Sequence, residues 1–178
     1  MKKLGYILMA LGLMACENKI IQYPVNYDNE RAKFLTFSQD RNKQILEEDN
    51  EMIQSYIDRS GIAFSKTSYG FWLSNSGEKT ASMAKTGDHV QYRYEVADLE
   101  GQIIYSEEEI GTKDAVLGKE NLTRGLHISL QLIEKGDSAT ALYPSFIGYG
   151  TYGDQNKIKG DLPLVYKIKI LDIQKKID

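Results

Sequence analysis

The chain holds 178 residues, with 22 Lys and Arg against 25 Asp and Glu, for a formal net charge of −3. At 42% hydrophobic and 26% charged, with 15 Gly and only 3 Pro, it has a globular composition that excludes collagenous, low-complexity and mostly disordered classes, and its length suits one ordinary domain with appendages. The absence of a Lys and Arg excess argues against a nucleic-acid partner, because phosphate binding rests on concentrated positive charge; a single Cys excludes a disulfide framework and a Cys-based zinc site.

Lys2 and Lys3 precede the apolar run Leu4 to Ala15, which is too short for the about 20 residues of a spanning helix and reads as a secretory signal over 1–15. The run closes on Leu13-Met14-Ala15-Cys16, which resembles the lipobox of bacterial lipoproteins. That resemblance makes Cys16 the acylated first residue of the mature chain. It implies a lipid-anchored protein of the bacterial cell envelope, facing the periplasm or exterior, with the membrane as a partner through the lipid.

Residues 16–35 lack a sustained period and are expected to form a tether after the lipidated Cys. Thr36 and Gln39 are spaced as a capping box, and Ile45, Leu46, Met52, Ile53, Tyr56 and Ile57 recur on one face. These signals predict an N-terminal helix over 36–61, stopped at Ser60-Gly61. Its apolar face is short for a coiled coil and Asp49 interrupts it, which favours packing on the chain's own domain, and a monomer over a dimer.

Beyond Gly61 the period becomes alternating, and 62–178 reads as one beta-rich domain. Val90, Tyr92, Tyr94 and Val96 share one strand face; Leu164, Tyr166, Ile168 and Ile170 share another; Ser138 to Tyr143 is a third strand. Gly70 to Ser74 and Gln102 to Tyr105 are shorter candidates. Only Arg124 to Glu134 has helical spacing. The predicted class is α+β, an antiparallel twisted sheet wrapped on one short helix and preceded by the N-terminal helix.

Conventional catalytic chemistry is missing from the pattern. His89 and His127 have no partner at ligand spacing, so no metal site is expected, and no nucleophile elbow is present. Glu107-Glu108-Glu109 reads as a solvated charged loop. Gly148 to Gly153 fits G-x-G-x-x-G, but Asp154 to Lys157, Gly160 and Pro163 follow where a dinucleotide fingerprint needs a helix.

Separate landmarks between Tyr69 and Lys175 fall in a familiar order: Gly87-Asp88-His89-Val90 leading to Tyr94, Leu117-Gly118 followed by Leu122-Thr123-Arg124-Gly125-Leu126, Pro144 to Gly150, and Leu164-Val165-Tyr166. Together they resemble the FK506-binding-protein (FKBP) type of peptidyl-prolyl cis-trans isomerase. The signal, tether and helix also look like the gliding-motility-associated isomerase lipoproteins of that family. The resemblance implies an FKBP-like fold and isomerisation of X-Pro bonds, assisting the folding of proline-containing exported polypeptides. That chemistry moves no proton and calls for no cofactor.

The same resemblance implies a site in which the Tyr149 hydroxyl and the Thr123 backbone N–H donate to substrate carbonyls. Tyr94, Leu122, Leu126, Ile158 and Tyr166 would line the pocket, with Ile104 where the family usually has an aromatic. Tyr105 stands at the place of a pocket Asp, Leu126 at that of the floor Trp, Ala115 at that of a further aromatic, and Asp154 at that of a loop His. These departures imply reduced activity and leave a second reading open, a non-catalytic binding module or chaperone on the same fold.

Overall fold

The structure is a computed structural model that describes residues 25–75 and 82–176. Cys16 and the rest of the signal and lipobox pattern lie outside the described residues, as do 16–24 of the expected tether. The chain divides into two compact units, Met1–Gln39 and Asp40–Asp178.

Helix α1 (Val25–Ser60) starts earlier than the sequence signals suggested, so 25–35 is helix where a tether was expected. The physical reason is that neither Gly nor Pro interrupts the chain between Pro24 and Gly61, and polar residues without strong periodicity still take the helical state when nothing breaks it. Thr36 is therefore no cap: its hydroxyl donates to the Ala32 carbonyl at 3.0 Å inside the helix. In this first unit Phe34, Leu35 and Phe37 are exposed.

In the second unit the helix is stitched by side-chain pairs four apart, Gln44 to Glu48 at 2.7 Å and Gln54 to Asp58 at 2.9 Å. It ends where Gly61 takes φ 67°, the left-handed conformation that closes helices. Its inward stripe is Asp49 and Ile53, both buried, with Tyr56 and Ile57 partly buried, whereas Leu46 and Met52 are exposed. Asp49 belongs to the stripe instead of interrupting it.

The sheet follows as β1 (Phe64–Lys66), β2 (Trp72–Ser74), β3 (His89–Asp98), β4 (Ile103–Tyr105), β5 (Lys113–Val116), β6 (Ser138–Tyr143) and β7 (Leu164–Gln174). All pairings are antiparallel, in the order β1-β2-β6-β7-β3-β4, with β5 also on β3. Strand β7 starts just after Pro163, which lacks the N–H that a central strand must supply. Between β4 and β5, Glu107–Ile110 form the short helix α2, capped by the Ser106 hydroxyl accepting from Glu109 N–H at 3.2 Å. The acidic run is thus a helical turn whose charges face its positive end, not a loop. Helix α3 spans Arg124–Ser129 and gives way to turns before Glu134, short of the expected end.

Alternation along the strands divides the core. Tyr92, Val96, Ala141, Tyr143, Leu164, Tyr166, Ile168 and Ile170 pack with Leu126 and Leu130 on one face, while Trp72, Ala97, Leu142 and Val165 pack with Ile53 of α1 on the other. Helix α3 approaches its face closely because Gly125 carries no side chain: a Cβ there would lie 2.9 Å from the Tyr143 ring and from Ile147 Cγ2. The Ser129 hydroxyl meets the Tyr143 hydroxyl at 2.7 Å beneath it. Ile53 is fully buried, so Ile53→Ala is expected to lower the unfolding free energy by about 2–5 kcal/mol, read from the denaturant midpoint. An unchanged midpoint would mean that this helix is not packed on the sheet.

Candidate active site

A row of aromatic rings crosses the inner face of the sheet. Tyr92 and Tyr94 of β3 lie 5.9 Å apart, Tyr94 stacks on Tyr166 of β7 at 5.6 Å and 10°, Tyr166 meets Tyr143 of β6 at 4.7 Å, and Tyr143 meets Phe71 edge-on at 5.2 Å. Register makes the row: Tyr94 faces Ile168 and Val96 faces Tyr166, so Tyr94 and Tyr166 are diagonal neighbours within ring reach. Burial raises the pKa of Tyr92, Tyr94, Tyr143 and Tyr166, and for Tyr94 and Tyr166 the phenol of Tyr149 raises it further. The row is uncharged at neutral pH.

Beside this row opens a cleft of about 270 Å³. Tyr94, Tyr105 and Tyr149 wall it, with Val96 and Ile110 as apolar lining and Glu109, Lys113 and Asp154 at its polar edge. Tyr105 reaches it because it pairs with the inward Val96, across a bulge in β3. Tyr149 is half-buried and caps a 3-10 turn, Gly150–Tyr152. The other expected site residues sit around these. Leu126, Ile158 and Tyr166 are buried in the core, and Ile104 and Leu122 pack against its margin. Thr123 is the N-cap of α3. The cleft lining therefore contains three of the expected side chains, with the rest behind or beside it. Thr123 Oγ1 is buried without a hydrogen-bond partner among the described residues, and the buried Tyr166 hydroxyl faces the phenol of Tyr149.

The loop between Tyr149 and β7 folds tightly on itself, which accounts for its glycines. A Cβ on Gly153 would stand 2.0 Å from the Ile158 carbonyl oxygen, and one on Gly160 would stand 1.9 Å from that of Thr151. Asp154 organises the loop by accepting from the N–H groups of Asn156 at 2.9 Å and Ile158 at 2.8 Å. Across the cleft it accepts from the Tyr105 hydroxyl at 2.5 Å. Asn156 donates to the same hydroxyl at 3.0 Å, while Lys157 lies 4.7 Å from the Tyr105 ring centre and pairs with Glu109 at 2.6 Å. In the sequence Tyr105 and Asp154 stand 49 residues apart as separate features, with no local sign of their pairing. The Asp154-x-Asn156 spacing signalled a side-chain-capped turn, but nothing local told which strand the turn would meet.

A family model described as FKBP-type peptidyl-prolyl cis-trans isomerase matches residues 80–171. The chain belongs to that family. FKBP relatives include the peptidyl-prolyl cis-trans isomerase FKBP9 of Homo sapiens and of Mus musculus, each 29% identical over 92 residues, which is 51% of this chain and 16% of the relative. The match thus spans a small part of those longer proteins. Among solved structures, FkpA from Escherichia coli superposes with a TM-score of 0.59 at 16% identity, over 88% of this chain and 76% of its own. A peptidyl-prolyl cis-trans isomerase from Pseudomonas syringae pv. tomato gives 0.59 at 19% identity, over 75% and 96%. At these identities the likeness is one of FKBP fold. Among the described residues no group of His, Cys, Asp and Glu is placed to hold a metal ion.

Burial opposes the charge on Asp154, but the bonds from Tyr105, Asn156 and Ile158 outweigh it and hold its carboxyl below the ordinary value of 3.8. A carboxyl depressed in the folded state contributes stability above its unfolded pKa and loses it as pH falls through the folded one, so the loop is expected to loosen only in acid below about 3.8. Tyr105→Phe, which removes one donor, is expected to raise the Asp154 midpoint toward that value in a carboxyl-resolved NMR titration. An unmoved midpoint would contradict the bond across the cleft.

Proposed function

We propose that this chain catalyses cis-trans isomerisation of X-Pro peptide bonds in polypeptides at a membrane surface. The observation that carries the reading is the half-buried phenol of Tyr149 in a cleft walled by Tyr94 and Tyr105 and backed by the uncharged Tyr166.

Rotation about the amide faces a barrier of about 18–20 kcal/mol because it breaks resonance, and unaided it takes tens to hundreds of seconds. No bond to the protein forms and no proton is transferred. What lowers the barrier is an environment that favours the twisted amide over the planar one. Tyr94 and Tyr105, with Val96 and Ile110, would grip the pyrrolidine ring, backed by the buried Tyr166, Leu126 and Ile158. The Tyr149 hydroxyl would donate to one substrate carbonyl. The Thr123 backbone N–H would donate to a second, as an N-cap amide outside the bonding of its own helix. The unpartnered Thr123 hydroxyl oxygen supports a polar role for this corner, since native structures rarely leave such atoms unmatched without a reason.

The run Leu13-Met14-Ala15-Cys16 supports a lipid anchor on Cys16 in a bacterial envelope, and hence exported, proline-containing clients. The layout of signal, tether and helix is what supports a role in gliding machinery. Among the described residues no helix is long and apolar enough to cross a membrane. A binding module that holds clients without catalysis is the second reading, favoured by the Tyr105–Asp154 bond spanning the cleft.

The test is the cis-to-trans rate of a proline tetrapeptide with an apolar residue before proline. Wild type is expected to accelerate it, and Tyr149→Phe to lower kcat/KM about fivefold to tenfold, the loss of one hydrogen bond. Binding of the peptide by folded protein without acceleration would replace catalysis with the binding module.

A further inference from the structure

We propose that Asp49, on α1 and outside the family-matched residues 80–171, is a positioning residue that fixes Tyr149 through Ser145. The Asp49 side chain is 1% exposed, and one of its oxygens, Oδ2, accepts two bonds from Ser145, from the backbone N–H at 2.7 Å and from the hydroxyl at 2.7 Å. Ser145, itself buried, opens the turn that carries Tyr149. Its carbonyl accepts from Gly148 N–H at 3.1 Å and from Gly150 N–H at 2.7 Å. Those N–H groups belong to the residues on either side of Tyr149, so Ser145 holds the backbone immediately before and after the phenol, and Asp49 holds Ser145.

The residue type is informative. The rest of the inward stripe of α1 is apolar, and an apolar side chain at position 49 would cover the sheet without a desolvation cost. Burial raises the pKa of this carboxyl, with the Ser145 bonds working the other way. A residue that is costly as a lid is explained by the need for an acceptor at Ser145, whose N–H and hydroxyl would otherwise be buried without one. Other backbone restraints on the turn come from within the matched region, among them Gly125 N–H to the Ile147 carbonyl at 3.0 Å, Ile147 N–H to the Pro144 carbonyl at 2.9 Å and Asp161 N–H to the Gly150 carbonyl at 2.9 Å. Arg41 of α1 makes a second link, pairing at the surface with Asp161 at 2.5 Å; Asp49 is the buried link and the one that bonds Ser145 directly.

The role assigned to Asp49 in turnover presupposes that Tyr149 acts on substrate, so the test carries a readout that does not depend on turnover. The full chain is prepared as wild type, Asp49→Ala, Asp49→Asn and Ser145→Ala. For each, kcat and KM are measured on the proline tetrapeptide, together with the fluorine resonance of 3-fluorotyrosine placed at position 149, and circular dichroism checks the fold. Asp49→Ala is expected to lower kcat about tenfold with KM changed less than about twofold, and to shift the resonance, since small misplacements of a catalytic group cost rate steeply. Asp49→Asn retains an oxygen able to accept both bonds and is expected to keep kcat within about twofold and the resonance in place. Ser145→Ala, which loses one of the two bonds, should fall between, and decides the matter if Asp49→Ala does not fold.

A folded Asp49→Ala or Ser145→Ala with wild-type kcat and an unmoved resonance overturns the positioning role. Equal losses in Asp49→Ala and Asp49→Asn, each tracking lost thermal stability, overturn it in favour of simple helix packing. A shifted resonance in a chain whose wild type accelerates no proline peptide upholds the link to Tyr149 and overturns the catalytic reading alone.

Discussion

The stacking of Tyr94 on Tyr166 is the contact on which the rest of the site depends. It exists because β3 and β7 pair with Val96 opposite Tyr166, and a slip of one residue between the strands would leave the two rings on opposite faces of the sheet. With the register set, the two rings form a flat apolar wall, and Tyr143 and Phe71 extend it across β6 to the edge of β2. Helix α3 can close on the wall only through Gly125, and the Tyr149 turn is bonded to that same glycine's N–H. Core packing and cleft construction are thus one arrangement, and the pocket wall is as rigid as the core it belongs to.

The two faces of the sheet serve different ends. The inner face carries α3 and the rings, all but Phe71 within the region shared with other FKBP-type chains. The outer face is covered by α1 through Ile53, Tyr56 and Ile57 against Trp72, Leu142 and Val165. This second layer lies outside the family-matched residues, and it reaches the turn beside the cleft through the Asp49–Ser145 bonds.

Much of this was legible in the sequence where a signal is local. Period-two alternation placed Tyr94 and Tyr166 inward, and Ser138 to Tyr143 is β6 as the pattern indicated. Strands β1 and β5 lacked an alternating apolar pattern, with Lys113 and Asp114 opening β5 and only Phe64 apolar in β1. Helix α1 was read short because a helix whose first turns bury little apolar surface has no periodic stripe to betray it. The larger misses are pairings of polar groups distant in sequence. Asp49 looked like a break in an apolar face because its acceptor role is defined by Ser145, 96 residues away, and Tyr105 and Asp154 lie 49 apart. A buried carboxylate and an exposed one have the same letter, and only the fold that brings the donor tells them apart.

The central claim is that an X-Pro unit is held against the ring wall with a carbonyl on Tyr149. A crystal structure of the chain with a proline-containing peptide tests it most directly. The account predicts the pyrrolidine ring between Tyr94 and Tyr105, over Tyr166, with a peptide carbonyl oxygen about 2.5–3.0 Å from the Tyr149 hydroxyl. A peptide seated elsewhere, or one in the cleft whose carbonyls ignore Tyr149, would contradict it.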